Sequence, residues 1–213
     1  MTNRSAEILD NLITRYPQLR ECQASIKNAA NMLIETYQVN GKLLTCGNGG
    51  SAADANHIVG ELMKSFVQPR SIGTDFYKLL HTIAPNEASE IDGKLQGTLS
   101  AIALTEQSSI ISAFANDVSP QLVYAQQVLG YGNAGDTLLG ISTSGNSKNV
   151  VYAIIVAKAK GMHTIAMTGK NSSRLSNLCD ITICVPETDT FKVQELHLPI
   201  YHCLCMILEH EFF

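Results

Sequence analysis

His57 and Glu61 stand four residues apart in the run AADANHIVGELMKSF, so on a helix they share one face. A second set of polar groups, Gln194, Glu195, His197, His202 and His210, interrupts the otherwise apolar helical pattern from about Phe191 to Phe213. On that helix Glu195 and His202, seven apart, face nearly the same way, with Gln194 and His197 flanking them. Carboxylate and imidazole together suit proton transfer. A base beside a carbonyl removes the neighbouring C–H proton, and a second group moves the proton between the oxygens of the resulting enediol. His, Glu, His and Gln could equally gather zinc or a similar ion, which would polarise such a carbonyl. A single His/Glu pair is more often a solvated surface pair, and an isolated His more often a satisfied core residue, so position must decide between these readings.

Two short polar loops bear on position. Cys46-Gly47-Asn48-Gly49-Gly50-Ser51 and Ser142-Thr143-Ser144-Gly145-Asn146-Ser147 each follow an apolar, β-rich run and open a helical pattern. Glycine lets the backbone approach an anion closely, Ser and Thr add hydroxyl donors without charge, and a helix N-terminus points N–H groups at the same place. A sugar phosphate fits this chemistry. The plainer alternative makes Ser51 and Ser147 mere N-caps of the helices that follow. A sharper rival is the dinucleotide fingerprint, which Gly47 to Ala52 satisfies. Its acidic partner is missing, because the first candidate is Glu106, far beyond the usual spacing of roughly 20 residues. No G-x-x-x-x-G-K-[ST] phosphate loop occurs.

The elements that must position these groups follow from periodicity. Up to residue 40, AEILDNLITRY and IKNAANMLIETY read as two helices punctuated by Pro17. Beyond Gly41 come five buried strands, KLLTCG, SAIALT, DTLLGIST, HTIAMTG and ITICVP, separated by helical segments. Alternation of this kind predicts an α/β fold: a single three-layer domain over 1–213, with a five-stranded parallel sheet of flavodoxin-like or Rossmann-like type and N-terminal helices over 1–40. Residues 67–97 break the rhythm with two prolines and three glycines and read as an insertion, with helical fragments over Asp75 to Ile83 and near Glu87.

Composition bounds the rest. A chain of 213 residues, 45% hydrophobic and 16% charged, describes one compact domain. With 15 Lys and Arg against 19 Asp and Glu it lacks the basic excess that nucleic acid requires. No apolar run reaches the roughly 20 residues of a membrane span, and MTNRSAEILD is not a secretory signal, so no membrane partner and a cytoplasmic location are expected. Six cysteines without a CxxC pair predict free thiols rather than disulfides or a zinc knuckle.

Taken together, CGNGGSAADANHIVGEL, AND at Ala115 to Asp117, GDTLLGISTSGNSKNV, MTGK and VQELHL resemble the sugar isomerase (SIS) domain family, and within it the phosphoheptose isomerases. The likeness spans nearly the whole chain outside the insertion. It implies an aldose–ketose isomerase converting sedoheptulose 7-phosphate to D-glycero-D-manno-heptose 7-phosphate for surface polysaccharide. It also implies that Ser51, Ser142, Thr143, Ser144 and Ser147 bind phosphate, aided by Asn48, Gly49 and Gly50. Asn116 and Asp117 would line the sugar together with Gln194. His57, Glu61, Gln194 and His202 would hold zinc, and Glu61 and His202 would be the acid/base pair. Homotetramers with sites at subunit interfaces are implied as well. Phe191-Lys192 stands where the family commonly has Asp-Arg, so a contact to a substrate hydroxyl is missing. Two other readings come with the likeness: a non-catalytic relative that binds the bacterial replication initiator, which lacks the glutamate equivalent to Glu61, and a sugar-phosphate sensor without turnover.

Overall fold

The computed structural model describes all 213 residues. All five strands read from the sequence form, as β1 (Leu43–Cys46), β2 (Ala101–Ala103), β3 (Thr137–Ile141), β4 (His163–Thr168) and β5 (Ile181–Cys184). They pair in parallel throughout, in the order β2-β1-β3-β4-β5. Side chains alternate across the pleat: Leu43, Leu139, Ile141, Ile165, Met167 and Ile183 join one core, while Leu44, Cys46, Leu138 and Ala166 join the other. Both faces are therefore buried, as a parallel sheet requires.

The first face is covered by α1 (Asn3–Arg15), α2 (Gln23–Gln38), α3 (Gly50–Met63) and the terminal helix α10 (Thr190–Phe212). Pro17 opens a short 3-10 turn between α1 and α2, its fixed φ suiting a first helical position. The opposite face carries α7 (Val123–Tyr131), α8 (Lys148–Ala159) and α9 (Arg174–Leu178). Five-residue α9 is too short to leave a readable period, and its signal is the Ser173 and Ser176 capping box. The remaining helix of the main body, α6 (Ser108–Asp117), follows β2.

The segment 67–97 folds into two helices, α4 (Thr74–Ile83) and α5 (Pro85–Asp92), which pack on each other. No residue of α4 is buried, and Phe76, Leu79 and Ile83 on it are exposed.

One buried ion pair fastens α10 to the end of α3. Arg70 Nε donates to Glu209 Oε1 at 2.7 Å, and both side chains are fully buried. The same guanidinium caps α3 by donating to the carbonyls of Leu62 at 2.7 Å and Glu61 at 2.8 Å. Glu209 also accepts from the backbone N–H groups of Phe66 and Val67. Those donors hold its carboxyl below the ordinary 4.5 despite the opposing effect of burial.

Candidate active site

The strand order reverses between β1 and β3, which puts the loops after these two strands side by side at the topological switch point. Asn48 of the first loop and Asn149 at the start of α8 exchange amide hydrogen bonds of 2.9 and 2.8 Å, tying the loops together. Tyr124 donates to the Gly47 carbonyl at 2.6 Å and supports the first loop from α7. In the second loop Ser142 and Ser147 share a hydrogen bond of 2.9 Å. Gly145 holds a positive φ of 63°, and a Cβ there would strike the Ser173 side chain at 2.1 Å.

Neither serine behaves as a plain helix cap. The N-cap of α3 is Gly49, with Ser51 already inside the helix. Ser147 occupies the N-cap position of α8 but makes no capping bond from its side chain. Both loops thus lead into helix N-termini that lie side by side at the switch point. Thr143, Ser144 and Asn146 also line a polar cleft of about 200 Å³ with Lys170, Glu187 and Thr190.

Farther along α3, the ionisable residues meet. His57 Nε2 lies 3.0 Å from Glu61 Oε1 and 3.5 Å from Nε2 of His202. One ligand atom from each of these three residues falls within 4.8 Å of the others, inside a single chain. Glu61 is mostly buried, and its second oxygen, Oε2, accepts no hydrogen bond, with only the Lys64 ammonium at 3.7 Å in ion-pair range. Two imidazoles and a carboxylate with a free, buried oxygen form a donor set that suits zinc or a similar divalent ion. Burial and neighbouring His57 hold the His202 imidazole below its ordinary value, against the opposing pull of Glu61. Beside His202, a cavity of about 250 Å³ opens between α1 and α10, walled by Leu12, Tyr16, Phe66 and Pro199.

Gln194 lies eight residues before His202 on α10, and its amide rests against the first loop. A Cβ on Gly50 would come 2.6 Å from Gln194 Nε2, so glycine is what admits that contact. Asn116 and Asp117, at the end of α6, are exposed and bonded only to each other at 2.8 Å. No hydrogen bond joins them to the loops or to the His/Glu/His cluster. Among the other polar groups of α10, Glu195 is exposed, whereas His197 is fully buried beside the Thr168 carbonyl at 3.4 Å. Burial pushes His197 down to about 4, so it is a neutral core residue. Phe191 is 60% exposed, and Lys192 pairs with Asp189 at 2.9 Å.

Two residues that periodicity does not single out stand behind the cluster. Tyr201 Oη lies 3.0 Å from His57 Nδ1 and donates to Asp54 Oδ1 at 3.3 Å. Asp54 occurs three residues before His57 and so on its face of α3, and Tyr201 precedes His202 directly; these spacings were the available signal.

Comparison with known proteins agrees with this geometry. The SIS domain family model matches residues 9–94 and 96–169. A phosphoheptose isomerase of Helicobacter pylori is 40% identical over 194 residues, covering 91% of this chain and 88% of the relative. One from a Nitratiruptor species is 37% identical over 206 residues, covering 97% and 96%. Among solved structures, a phosphoheptose isomerase from Francisella tularensis superposes with a TM-score of 0.74 at 30% identity, covering 99% of this chain and all of the other. Another, from Neisseria gonorrhoeae, gives 0.70 at 30% identity, covering 97% and 92%. The chain belongs to the SIS domain family, and within it to the phosphoheptose isomerases.

Proposed function

We propose that the protein is an aldose–ketose isomerase that converts sedoheptulose 7-phosphate to D-glycero-D-manno-heptose 7-phosphate through an enediol. The observation that carries this reading is the meeting, within one chain, of Glu61 on α3, the helix that starts at the first loop, with His202 on α10. Distance supports a long sugar. Ten residues of helix separate Ser51 from Glu61, roughly 15 Å along the axis, and the glutamate side chain leans back toward the N-terminus. A phosphate held at the loops thus places the far end of a seven-carbon chain, and not of a triose, beside the carboxylate.

In this reading Ser51, Ser142, Thr143, Ser144 and Ser147 hold the phosphate, with Asn48, Gly49 and Gly50 offering backbone and amide donors. Glu61 takes the proton from C1, next to the carbonyl, on its Oε2 and returns it to C2 of the enediol, which completes the aldose. His202, which burial favours in its neutral form, moves the proton between the two oxygens. Asn116, Asp117 and Gln194 contact the sugar hydroxyls. His57, Glu61 and His202 would hold a zinc ion; Gln194, whose amide lies against Gly50 at the start of α3, stands eight residues along α10 from His202 and would join them only from a neighbouring subunit. When bound, that ion supplies polarisation of the carbonyl and stabilisation of charge on oxygen.

The single domain over 1–213 acts as a homotetramer in the cytoplasm. Support for assembly comes from the exposed apolar face of α4 and from the open cavity beside His202. The glutamate at the centre of the cluster sets this chain apart from a non-catalytic binder of the replication initiator, and turnover of the sugar phosphate sets it apart from a sensor.

The test is direct: purified protein with added zinc is incubated with sedoheptulose 7-phosphate and the aldose is followed. Conversion that falls by about 10²- to 10⁴-fold in Glu61→Gln supports the reading. No conversion by the intact chain, or full activity in the variant, sinks it.

A further inference from the structure

We infer that Tyr201 and Asp54 are positioning residues that hold His57 with its proton on Nδ1, leaving the Nε2 lone pair turned toward Glu61 and His202. The inference rests on the reading of His57 as a metal ligand and adds what prepares it for that role. Hydrogen-bond inventory sets the direction. In its ionised form the Asp54 carboxylate can only accept, its Oδ2 is buried without a partner, and Tyr201 at 3.3 Å is the donor to Oδ1. A phenol has one hydrogen. Once it points at Asp54, the oxygen meets His57 Nδ1, 3.0 Å away, with its lone pairs, so Nδ1 must carry the N–H.

Neutral His57 then has no hydrogen on Nε2, which faces Glu61 Oε1 at 3.0 Å and His202 Nε2 at 3.5 Å. Electron-rich atoms gathered so closely repel one another unless a cation sits among them, and this is the tautomer that ligates one. The reverse arrangement, with Tyr201 donating to Nδ1 and His57 donating to Glu61, leaves both oxygens of Asp54 without a donor, and desolvating an unpaired carboxylate is costly. Rigid burial holds the hydroxyl in place. Tyr201 is 1% exposed, and its ring packs edge-on against His57 at 5.4 Å and His202 at 5.0 Å. Neighbouring positions on α10 thus supply one ligand, His202, and the group that orients another.

Tyr201→Phe removes the hydroxyl alone, and Asp54→Asn supplies an amide that can itself donate and release it. Zinc affinity, measured by competition with a chromophoric chelator, is expected to weaken by about 10- to 100-fold in each. Nitrogen-15 NMR of histidine-labelled wild-type protein is expected to show a protonated Nδ1 on His57. Zinc affinity within about twofold of wild type in both variants, with only metal-free stability lowered, would mean a structural role and overturn the inference. So would a bare Nδ1 and protonated Nε2 in the wild-type spectrum, which decides the matter even if a variant fails to fold. Failure of the wild-type chain to bind zinc would instead strike the metal reading, and the spectrum would still judge the tautomer.

Discussion

Ser142 illustrates how little of the proposed phosphate site is visible in a residue type. Serine is common in turns, yet here it is buried and bonded to Ser147 at 2.9 Å, in the loop after β3 at the switch point. A hydroxyl donated to a charged phosphate contributes about 1.5–3 kcal/mol. Ser142→Ala should therefore raise KM for the sugar phosphate by about one to two orders of magnitude and leave kcat nearly unchanged, since phosphate binding is uniform along the reaction. Steady-state kinetics checks this; a fall in kcat at constant KM would refute it. His197 illustrates the opposite lesson. On sequence it flanks the Glu195 and His202 face, but the fold buries it completely.

At the scale of elements, the Arg70 and Glu209 pair sets how α3 meets α10, and thereby how Glu61 meets His202. The guanidinium caps the last turn of α3, while the carboxylate gathers Phe66 and Val67 from the connection that follows. Removing one partner leaves an uncompensated buried charge. Arg70→Met should lower unfolding free energy by about 3–5 kcal/mol, read by urea denaturation. A loss below about 1 kcal/mol would show that the pair is dispensable. Sequence periodicity located both helices but offered no reason to pair residues 139 positions apart.

For the whole molecule, stability should carry a histidine signature on the acid side. His197 has an ordinary value of 6.5 and a folded value of about 4, so between these the unfolded chain binds a proton that the folded chain refuses. Stability thus falls as pH drops from 6.5 toward 4, by up to about 3 kcal/mol, with no further contribution below that range. Denaturant unfolding at about pH 7 and about pH 4.5 should show a smaller pH loss in His197→Gln than in wild type; equal losses would contradict it. Assembly belongs to this scale too. Sedimentation equilibrium should give four copies of the 23.1 kDa chain, and replacing Phe76, Leu79 and Ile83 on α4 by serine tests whether that arm contributes. A monomer at tens of micromolar would exclude the tetramer.

From the sequence by itself came the five strands, the helices between them, the two polar strand-to-helix loops and the pairing of His57 with Glu61, because each rests on periods of two or 3.6 residues or on neighbours within a few positions. Five-residue α9 escaped for want of a full period. What only tertiary structure decided was convergence: the placement of His202 against α3, of Gln194 against Gly50, and of Tyr201 between Asp54 and His57. Those contacts join residues about 145 positions apart. Their geometry comes from packing α3 and α10 on one face of the sheet, and no local pattern encodes the angle at which two helices meet.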